Sequence, residues 1–406
     1  MSAWVQEVNL RKCILPLVLV LAAFAINLWF NLCWVGVEGN PGYDYFRYKR
    51  TADQMLQGQT HSYKEAPFTF WLFALVNGTS GGENKLALRL IYSFMGALTV
   101  LAIYGICSLI AGERTAFFGA CVAALNLHTI YYNSWLMTET PLGLFFTSSV
   151  FFFLLAVRHR SHVAAALAGI SLGLAIFAKP VPALFLLATP FLLLLYSSLD
   201  RRRSLELSAT LLGCALLTVL PYVVKARLET GEWFLVSKSA GETLFVGNLG
   251  GYKYIDNPGF FSPDEFQRLH ALPPHEFDKM LGNRAVDYLK KHPRVALAVL
   301  GDKLRDIFGL WLPSRHSSLP DVFAQLQYWV ILAFCAAGMI LRRCKWRTDL
   351  VVYVAVVNVF ASCMIFWAGP RMRYPAEQFM AVFAGVGLLW LLGKMWPRLF
   401  RSTTEP

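Results

Sequence analysis

Apolar runs long enough to cross a lipid bilayer follow one another along most of the chain. A membrane-spanning helix needs about 17–25 predominantly apolar residues, and hydropathy separates about ten such runs here. They cover residues 13–35, 86–111, 116–133, 141–157, 163–178, 180–199, 205–225, 322–341, 350–368 and 375–395. The break at Lys179-Pro180 leaves open whether residues 163–199 form two short spans or a re-entrant hairpin. The pattern predicts an all-α polytopic membrane protein.

Two long polar segments interrupt the runs, and each contains a helical pattern. In residues 36–85 the turn-forming sequence Gly39-Asn40-Pro41-Gly42 predicts a short helix that begins near Asp44. In residues 226–321, apolar positions recur at helical spacing from Glu276 to about Phe308, which predicts an interfacial helix. Three regions are therefore predicted. An N-terminal membrane module covers residues 1–225 and includes the catalytic first outer loop, residues 36–85. An outer region with the interfacial helix covers residues 226–321, and the closing spans with the cytoplasmic tail cover residues 322–406.

Basic residues orient the predicted spans. They concentrate in short connections on alternate sides: Arg11, Lys12, Arg114, Arg158, Arg160, Arg201, Arg202, Arg203, Arg342, Arg343, Lys345, Arg347, Lys394, Arg398 and Arg401. The positive-inside rule places these connections in the cytoplasm, and an even number of spans then places both termini there. Five charged residues that are far apart in sequence are consequently predicted to share the opposite face: Asp44, Glu139, Lys179, Arg371 and Arg373.

Composition agrees with a membrane protein and removes several other classes. The 406 residues are 56% hydrophobic and only 15% charged, whereas a soluble domain is about 25% charged. The net charge of +12 is interpreted as orientation signals and contacts with anionic lipids, not as a nucleic-acid surface. The sequence contains no nucleic-acid, Walker A, GxSxG or HExxH motif, and its eight cysteines lack metal-ligand spacing. Nucleic acid is therefore not an expected partner, and ATP-driven transport is not supported.

Asp44 and Glu139 are the candidate catalytic residues. Asp44 shares a helix face with Arg47 and Tyr48 at i, i+3 and i+4. Its carboxylate is either a helix cap or a general base that orients an acceptor hydroxyl at the membrane surface. Glu139 begins a span, so it either stabilises the first turn, with Thr138 as cap, or faces the bundle with a charged partner.

Three basic residues are candidates for binding phosphate. Lys179 lies in an otherwise apolar stretch and either extends to the interface or turns inward. Arg371 and Arg373 precede the last span on the outer side, against the positive-inside tendency. Because a guanidinium binds phosphate with two parallel hydrogen bonds, these arginines predict a lipid-phosphate site.

Five elements, in this order, resemble the GT-C superfamily of polytopic glycosyltransferases, in the branch of the protein O-mannosyltransferases and the bacterial lipid A aminoarabinose transferases. They are Asp44-x-x-x-Tyr48-x-x-x-Ala52, Tyr63-Lys64-Glu65-Ala66-Pro67-Phe68-Thr69-Phe70-Trp71, Met137-Thr138-Glu139-Thr140, Gly247-Asn248 and Arg373-Tyr374-Pro375. The chain departs from the family at Glu65 and Ala66, where a lysine and a proline are expected. Lys64 or Arg47 is the candidate substitute for that lysine's contact with the donor phosphate.

The resemblance implies an inverting glycosyltransferase that moves a sugar from a polyprenyl-phosphate donor to a hydroxyl of a lipid, glycan or protein acceptor on the non-cytoplasmic face. It implies substrate contacts at Arg47, Tyr48, Lys64, Glu65, Lys179, Asn248, Arg371, Arg373 and Tyr374. The expected location is a bacterial inner membrane with the site facing the periplasm or exterior. The sequence identifies no cofactor with certainty, and it leaves open whether a divalent cation takes part.

Three other interpretations remain at this point. The chain could be a lipid or sugar transporter or flippase, although repeats and broken midplane helices are typical of transporters and no repeat is visible. It could be a GT-C ligase or polymerase that uses a lipid-diphosphate donor. It could also be a non-catalytic assembly subunit, which would tolerate neutralisation of Asp44 and Arg373 together.

Overall fold

A computed structural model describes residues 10–39, 41–42, 44–59, 63–196, 199–249, 265, 268, 271–309 and 319–397. Over these residues the chain is helical and contains no strand, so the predicted all-α class is confirmed. Asn40 of the predicted turn and the tail after residue 397 lie outside the described residues.

The helices are numbered here in chain order. They are α1 (Leu10–Trp29, continued by a π-helical turn at Phe30–Trp34), α2 (Tyr45–Leu56), α3 (Pro67–Ser80), α4 (Lys85–Ala111), α5 (Glu113–Ala124), α6 (Leu127–Asn133), α7 (Glu139–His159), α8 (His162–Ala178), α9 (Ala183–Leu195), α10 (Arg201–Thr230), α11 (Ala240–Asn248), α12 (Pro274–Lys291), α13 (Pro293–Phe308), α14 (Leu319–Leu341), α15 (Trp346–Ile365) and α16 (Tyr374–Met395). A 3-10 turn at Pro370–Arg373 joins α15 to α16.

Seven helical segments in the described part of the chain are long and apolar enough to cross a membrane. They are Ile14–Trp34, Lys85–Ala111, Glu139–His159, Arg201–Thr230, Val322–Leu341, Arg343–Ile365 and Pro370–Met395. Helices α8 and α9 are apolar but shorter. Large apolar side chains such as Leu217, Phe191 and Val357 are exposed on the outside of the bundle, where lipid is the solvent that suits them. The chain is an integral membrane protein.

Two predicted helices are each divided in the structure. The run 116–133 forms α5 and α6, because the side chain of Asn126 caps α6 by accepting hydrogen bonds from the amides of His128 and Thr129. The run from Glu276 to Phe308 forms α12 and α13, because Pro293 lacks an amide proton and suits the first turn of a new helix. Residues 163–199 contain α8 and α9, two separate helices.

The last helix, α16, forms the centre of the bundle. Residues 373–385 are all buried, and α16 packs against α14, α5, α4 and α7. Gly119 and Gly385 allow α5 and α16 to approach closely, since a Cβ at Gly385 would lie 2.5 Å from the Gly119 nitrogen. Small residues at helix crossings are how membrane bundles gain packing without a hydrophobic driving force.

Helices α11, α12 and α13, from the second polar segment, cover the end of the bundle where α15 ends and α16 begins. Helix α11 packs against α12, and α13 packs against both α15 and the 3-10 turn at Pro370–Arg373. Helices α2 and α3, from the first polar segment, also pack together. The predicted division at residues 225/226 and 321/322 stays a prediction, and α10 continues past the first boundary to Thr230.

Candidate active site

Four charged side chains from distant parts of the chain meet at one end of the bundle. The Nη1 of Arg371 donates to Asp44 Oδ2 at 2.7 Å, and its Nε donates to Glu139 Oε1 at 2.8 Å. The Nζ of Lys179 donates to the same Glu139 oxygen at 3.3 Å. Asp44, Lys179 and Arg371 keep 21%, 24% and 22% of their side-chain surface exposed, whereas Glu139 keeps 2%. We call Asp44, Glu139, Lys179 and Arg371 the Arg371 cluster.

The two carboxylates of this cluster, Asp44 and Glu139, come from the N-terminal ends of helices α2 and α7. Asp44 occupies the N-cap position of α2, as the first interpretation expected, but its side chain makes no capping hydrogen bond. Its carboxylate turns to Arg371 instead. Glu139 is the first residue of α7. Thr138 occupies the N-cap position of α7, as predicted, but makes no capping side-chain hydrogen bond. Glu139 lies in the first turn and also has the charged partners that the second interpretation expected.

The two cationic side chains of the cluster, Lys179 and Arg371, come from the connections between helices. Lys179 follows α8 in an extended conformation, as expected for a residue before proline. Its ammonium turns inward to Glu139 and to the Met372 sulfur at 3.1 Å, so it does not extend away from the bundle. Arg371 lies on the 3-10 turn that leads into α16.

Arg47 and Tyr48 extend the cluster along α2. Arg47 donates to Glu65 at 2.6 Å and lies 3.5 Å from Asp44 Oδ1. Burial opposes the charge of Arg47, but the Glu65 carboxylate outweighs it and raises the pKa of Arg47, so the guanidinium stays charged. Burial, followed by the nearby charge of Asp44, raises the pKa of Tyr48, which therefore remains a neutral hydroxyl.

Arg373 and Tyr374, both predicted to contact substrate, turn away from the Arg371 cluster. Arg373 is 1% exposed and donates to Glu377 at 2.6 Å and to the Ile307 carbonyl at 3.0 Å. Its guanidinium also lies 3.5 Å from the centre of the Tyr328 ring. Tyr374 is fully buried and donates to Asn133 Oδ1 at 2.7 Å. The geometry therefore gives neither residue an open path to a substrate.

Lys64 and Asn248, two further predicted contacts, have other partners in the described structure. Lys64 pairs with Glu242 on α11 at 2.7 Å, which joins the two outer segments. Asn248 is 7% exposed, accepts a hydrogen bond from Lys303 and donates to the Leu244 and Ile365 carbonyls.

Lys303 was missed by sequence reasoning. It is 4% exposed although it carries an ammonium group. The available signal was its position, because residues 296, 299, 303 and 307 follow the inward face of α13. A lysine among the apolar positions of an amphipathic helix is therefore the pattern that could have identified it.

The Arg371 cluster combines two carboxylates and two cations, so its formal charges cancel. All four carboxylate oxygens of Asp44 and Glu139 already lie near Arg47, Lys179 or Arg371. In this arrangement every carboxylate oxygen of the cluster faces a cationic side chain. Within the described residues, no group of three or more His, Cys, Asp or Glu side chains is arranged to hold a metal.

Comparison with known proteins agrees with the predicted resemblance. Residues 64–226 match the family described as dolichyl-phosphate-mannose-protein mannosyltransferase, which is less than half of the chain. This segment includes Glu139 and Lys179 and excludes Asp44 and Arg371. No curated protein matches the chain in sequence.

Solved structures of an archaeal oligosaccharyltransferase show the same fold. The oligosaccharyltransferase of Archaeoglobus fulgidus in its apo form is 15% identical over 96% of this chain and 53% of that chain, with a TM-score of 0.61. The archaeal oligosaccharyltransferase AglB from the same organism, in complex with an inhibitory peptide and a dolichol-phosphate, is 14% identical over 96% and 52%, with a TM-score of 0.60. ArnT from Cupriavidus metallidurans bound to undecaprenyl phosphate is 15% identical over 96% and 81%, with a TM-score of 0.44.

The chain spans about half the length of these oligosaccharyltransferase chains. At such identities the likeness shows a shared fold, and the family match over residues 64–226 agrees with the predicted resemblance.

Proposed function

We propose that this protein is a membrane glycosyltransferase that moves a sugar from a polyprenyl-phosphate donor to a hydroxyl of a lipid, glycan or protein acceptor. The observation that carries the proposal is the meeting of Asp44, Glu139, Lys179 and Arg371 at one end of the bundle. The family match supports sugar transfer. The fold shared with an oligosaccharyltransferase that was solved with a dolichol-phosphate supports a lipid-linked donor.

The proposed reaction is a single displacement at the anomeric carbon. The acceptor oxygen forms the new glycosidic bond, while the bond from the anomeric carbon to the phosphate oxygen breaks. The acceptor proton passes to a base, and the polyprenyl phosphate leaves with the bonding electron pair. Attack from the face opposite the leaving group inverts the anomeric carbon.

Arg371 and Lys179 are the proposed binding groups for the phosphate. The phosphate changes from a diester to a monoester as it leaves, so it gains negative charge in the transition state. Fixed cations stabilise that charge more strongly in the transition state than in the bound donor, which is the condition for catalysis. Arg371 has the planar fork that suits two phosphate oxygens, and Arg47 is a third cation within 3.5 Å of Asp44.

Asp44 is the proposed base and Glu139 the proposed orienting carboxylate. Asp44 is partly exposed, so an acceptor hydroxyl can approach it, whereas Glu139 is almost fully buried behind Arg371 and Lys179. Arg371 now donates a hydrogen bond to Asp44. A donor phosphate bound at Arg371 competes with Asp44 for that hydrogen bond. Binding of the donor therefore frees the Asp44 carboxylate for the acceptor.

The decisive experiment compares Asp44→Asn with Asp53→Asn in purified membranes. Asp53 is on the same helix, is 40% exposed and pairs with Lys49 at 2.9 Å, outside the Arg371 cluster. Asp44→Asn should lower sugar transfer from polyprenyl-phosphate sugars by about 10²–10⁴-fold because the base is lost. Asp53→Asn should retain transfer. Near-full activity of Asp44→Asn, at matched protein level and melting temperature, would reject the assignment.

The same assay separates the other candidate functions. A lipid-diphosphate sugar that reacts while the monophosphate does not would assign a ligase or polymerase reaction. Movement of labelled lipid across vesicles without release of polyprenyl phosphate would assign a transporter or flippase.

The proposed orientation places the Arg371 cluster on the periplasmic or exterior face of a bacterial inner membrane, with both termini in the cytoplasm. Cys33 and Cys344 are both exposed and unpaired, and the orientation predicts them on opposite faces. An impermeant maleimide added to intact cells should label a variant that keeps Cys33 alone and leave one that keeps Cys344 alone unlabelled. The reverse pattern would invert the orientation.

A further inference from the structure

Lys303 on α13 has an unusual environment for a buried lysine. Its Nζ donates at 2.8 Å to each of three oxygens, Asn248 Oδ1 and the Met364 and Phe366 carbonyls. The Ile365 carbonyl lies 3.3 Å away. No carboxylate among the described residues lies within ion-pair distance of it. Burial lowers the pKa of Lys303 to about 8, which shows that placing an ammonium group here is unfavourable for the group itself.

The three carbonyls that receive Lys303 are the end of α15. The last carbonyls of a helix have no partner within the helix and carry the negative end of its dipole. A lysine ammonium satisfies both requirements. Asn248 adds a second hydrogen bond by donating to the Ile365 carbonyl at 2.9 Å. Lys303 and Asn248 therefore cap α15 jointly, from two outer helices.

Gly247 permits this close approach. A Cβ at Gly247 would lie 1.9 Å from the Phe366 carbonyl oxygen and 2.7 Å from its carbon, so α11 reaches the end of α15 only with glycine at this position. The Gly247-Asn248 pair thus has a physical reason in this chain: the first residue allows the backbones to meet, and the second makes the hydrogen bonds.

The capped helix end leads directly to Arg371. The chain passes from Phe366 to the 3-10 turn at Pro370–Arg373. Its far end is held by the same helix α13, because Arg373 donates to the Ile307 carbonyl at 3.0 Å. Helix α13 therefore fastens the segment 366–373 on both sides of Arg371, at Lys303 and at Ile307.

We propose that Lys303 and Asn248 are positioning residues: they hold the segment 366–373 so that Arg371 stays within hydrogen-bond distance of Asp44 and Glu139. This inference rests on the proposed function of Arg371 in binding a lipid phosphate. It also changes the expected function of Asn248, which acts on the protein backbone and not on substrate.

The first experiment measures the fastening without any ligand. Hydrogen exchange is followed in the full chain, in lipid nanodiscs, for wild type, Lys303→Met and the matched control Lys291→Met, which changes an exposed lysine at the end of α12. Peptides covering residues 366–373 should exchange at least about tenfold faster in Lys303→Met only, since residues freed from their contacts open more often. Unchanged exchange in this segment would overturn the proposal.

The second experiment asks whether Lys303 acts through Arg371. Undecaprenyl phosphate is the probe, and its Kd is measured for wild type, Lys303→Met, Arg371→Met and the double variant. Lys303→Met should raise Kd roughly tenfold, as loss of a supporting contact does, and should add nothing when Arg371 is already methionine. An equal increase in both backgrounds would show that Lys303 acts independently of Arg371 and would also overturn the proposal.

A milder variant protects the test against misfolding. Asn248→Ala removes one of the ligands of Lys303 and the bond to Ile365, and it should change exchange and Kd in the same direction but less. If Arg371→Met binds undecaprenyl phosphate as tightly as wild type, the proposed function of Arg371 fails. The exchange result then still decides whether Lys303 fastens the segment.

Discussion

Arg371 and Arg373 are separated by one residue, yet they belong to two different polar clusters. Arg371 is 22% exposed and joins Asp44 and Glu139 beside Lys179. Arg373 is 2% exposed in its side chain and joins Glu377, which is fully buried. Glu377 also accepts from Asn126 at 2.9 Å and lies 3.0 Å from His128 Nδ1. We call Asn126, His128, Arg373 and Glu377 the Arg373 cluster.

The two clusters contain the same kind of ion pair and differ in how far their side chains are exposed. Both contain an arginine and carboxylate at 2.6–2.8 Å. Two residues along a helical turn rotate a side chain by about 200–240°, so neighbouring arginines of this spacing face opposite sides. One side opens at the end of the bundle and the other lies in packed protein. A charged pair therefore indicates a reaction site only when a substrate can reach it.

Of the two arginines, Arg371 should show the larger effect on activity when it is replaced by methionine. Loss of a preorganised group that stabilises developing charge lowers the rate by about 10²–10³-fold. Because Arg371 is 22% exposed and Arg373 only 2%, the melting temperature should fall less in Arg371→Met than in the corresponding variant of Arg373. Sugar transfer and thermal unfolding of the purified variant check both statements. Sugar transfer by Arg371→Met within a factor of three of wild type would show that Arg371 does not act in the reaction.

Arg373→Met should instead lower the stability of the protein more than its activity. Removing Arg373 leaves the buried Glu377 carboxylate with Asn126 and His128 as its remaining neighbours. Loss of one partner of a buried ion pair lowers the free energy of unfolding by about 3–5 kcal/mol. The fraction that folds should transfer sugar at nearly the wild-type rate. Yield, melting temperature and activity per folded molecule are the measurements. A stable variant that has lost activity would instead place Arg373 in the substrate site.

Paired substitutions sharpen the comparison further. Arg373→Met combined with Glu377→Met removes both charges, and buried pairs replaced in this way are often neutral or stabilised. The double variant should therefore melt above Arg373→Met alone. Arg371→Met combined with Glu139→Met should recover no activity, because the cation that we propose to bind the phosphate is still missing. Recovery of transfer in this second pair would contradict a direct function of Arg371.

The smallest effect is expected at an exposed pair on α2. Lys49 and Asp53 are 28% and 40% exposed and lie 2.9 Å apart at i, i+4. Breaking such a pair changes the free energy of unfolding by less than about 0.5 kcal/mol. Lys49→Met should therefore match wild type in melting temperature and transfer. A large loss in this variant would show that the outer face of α2 takes part in binding.

Much of the fold was predictable because lipid restricts the backbone. Every peptide group inside a membrane must find its partner within a helix or closed barrel, so long apolar runs are helices. The divisions at Asn126 and Pro293 were not predicted, although each has a local cause: a side-chain cap at Asn126, and a residue without an amide proton at Pro293. Both signals are visible in the sequence but weaker than the surrounding hydrophobicity.

The sequence predicted which residues form the candidate site better than it predicted which of them touch. Charge asymmetry between loops indicated that Asp44, Glu139, Lys179 and Arg371 share a face, and the structure brings these four side chains together. The same reasoning could not exclude Arg373, because hydropathy and loop charge carry no information on the direction of a side chain. It also could not find Lys303, whose acceptors are backbone carbonyls and a distant asparagine.

The sequence by itself determined a membrane protein of this fold class and the side of the bundle on which its charges gather, because hydrophobic length and loop charge are local quantities. Only the tertiary structure decided which charges touch. Arg371 meets Asp44 across 327 positions of sequence, and Lys303 reaches the end of α15 across about 60. Such contacts depend on the rotation and packing of whole helices, which no single segment specifies.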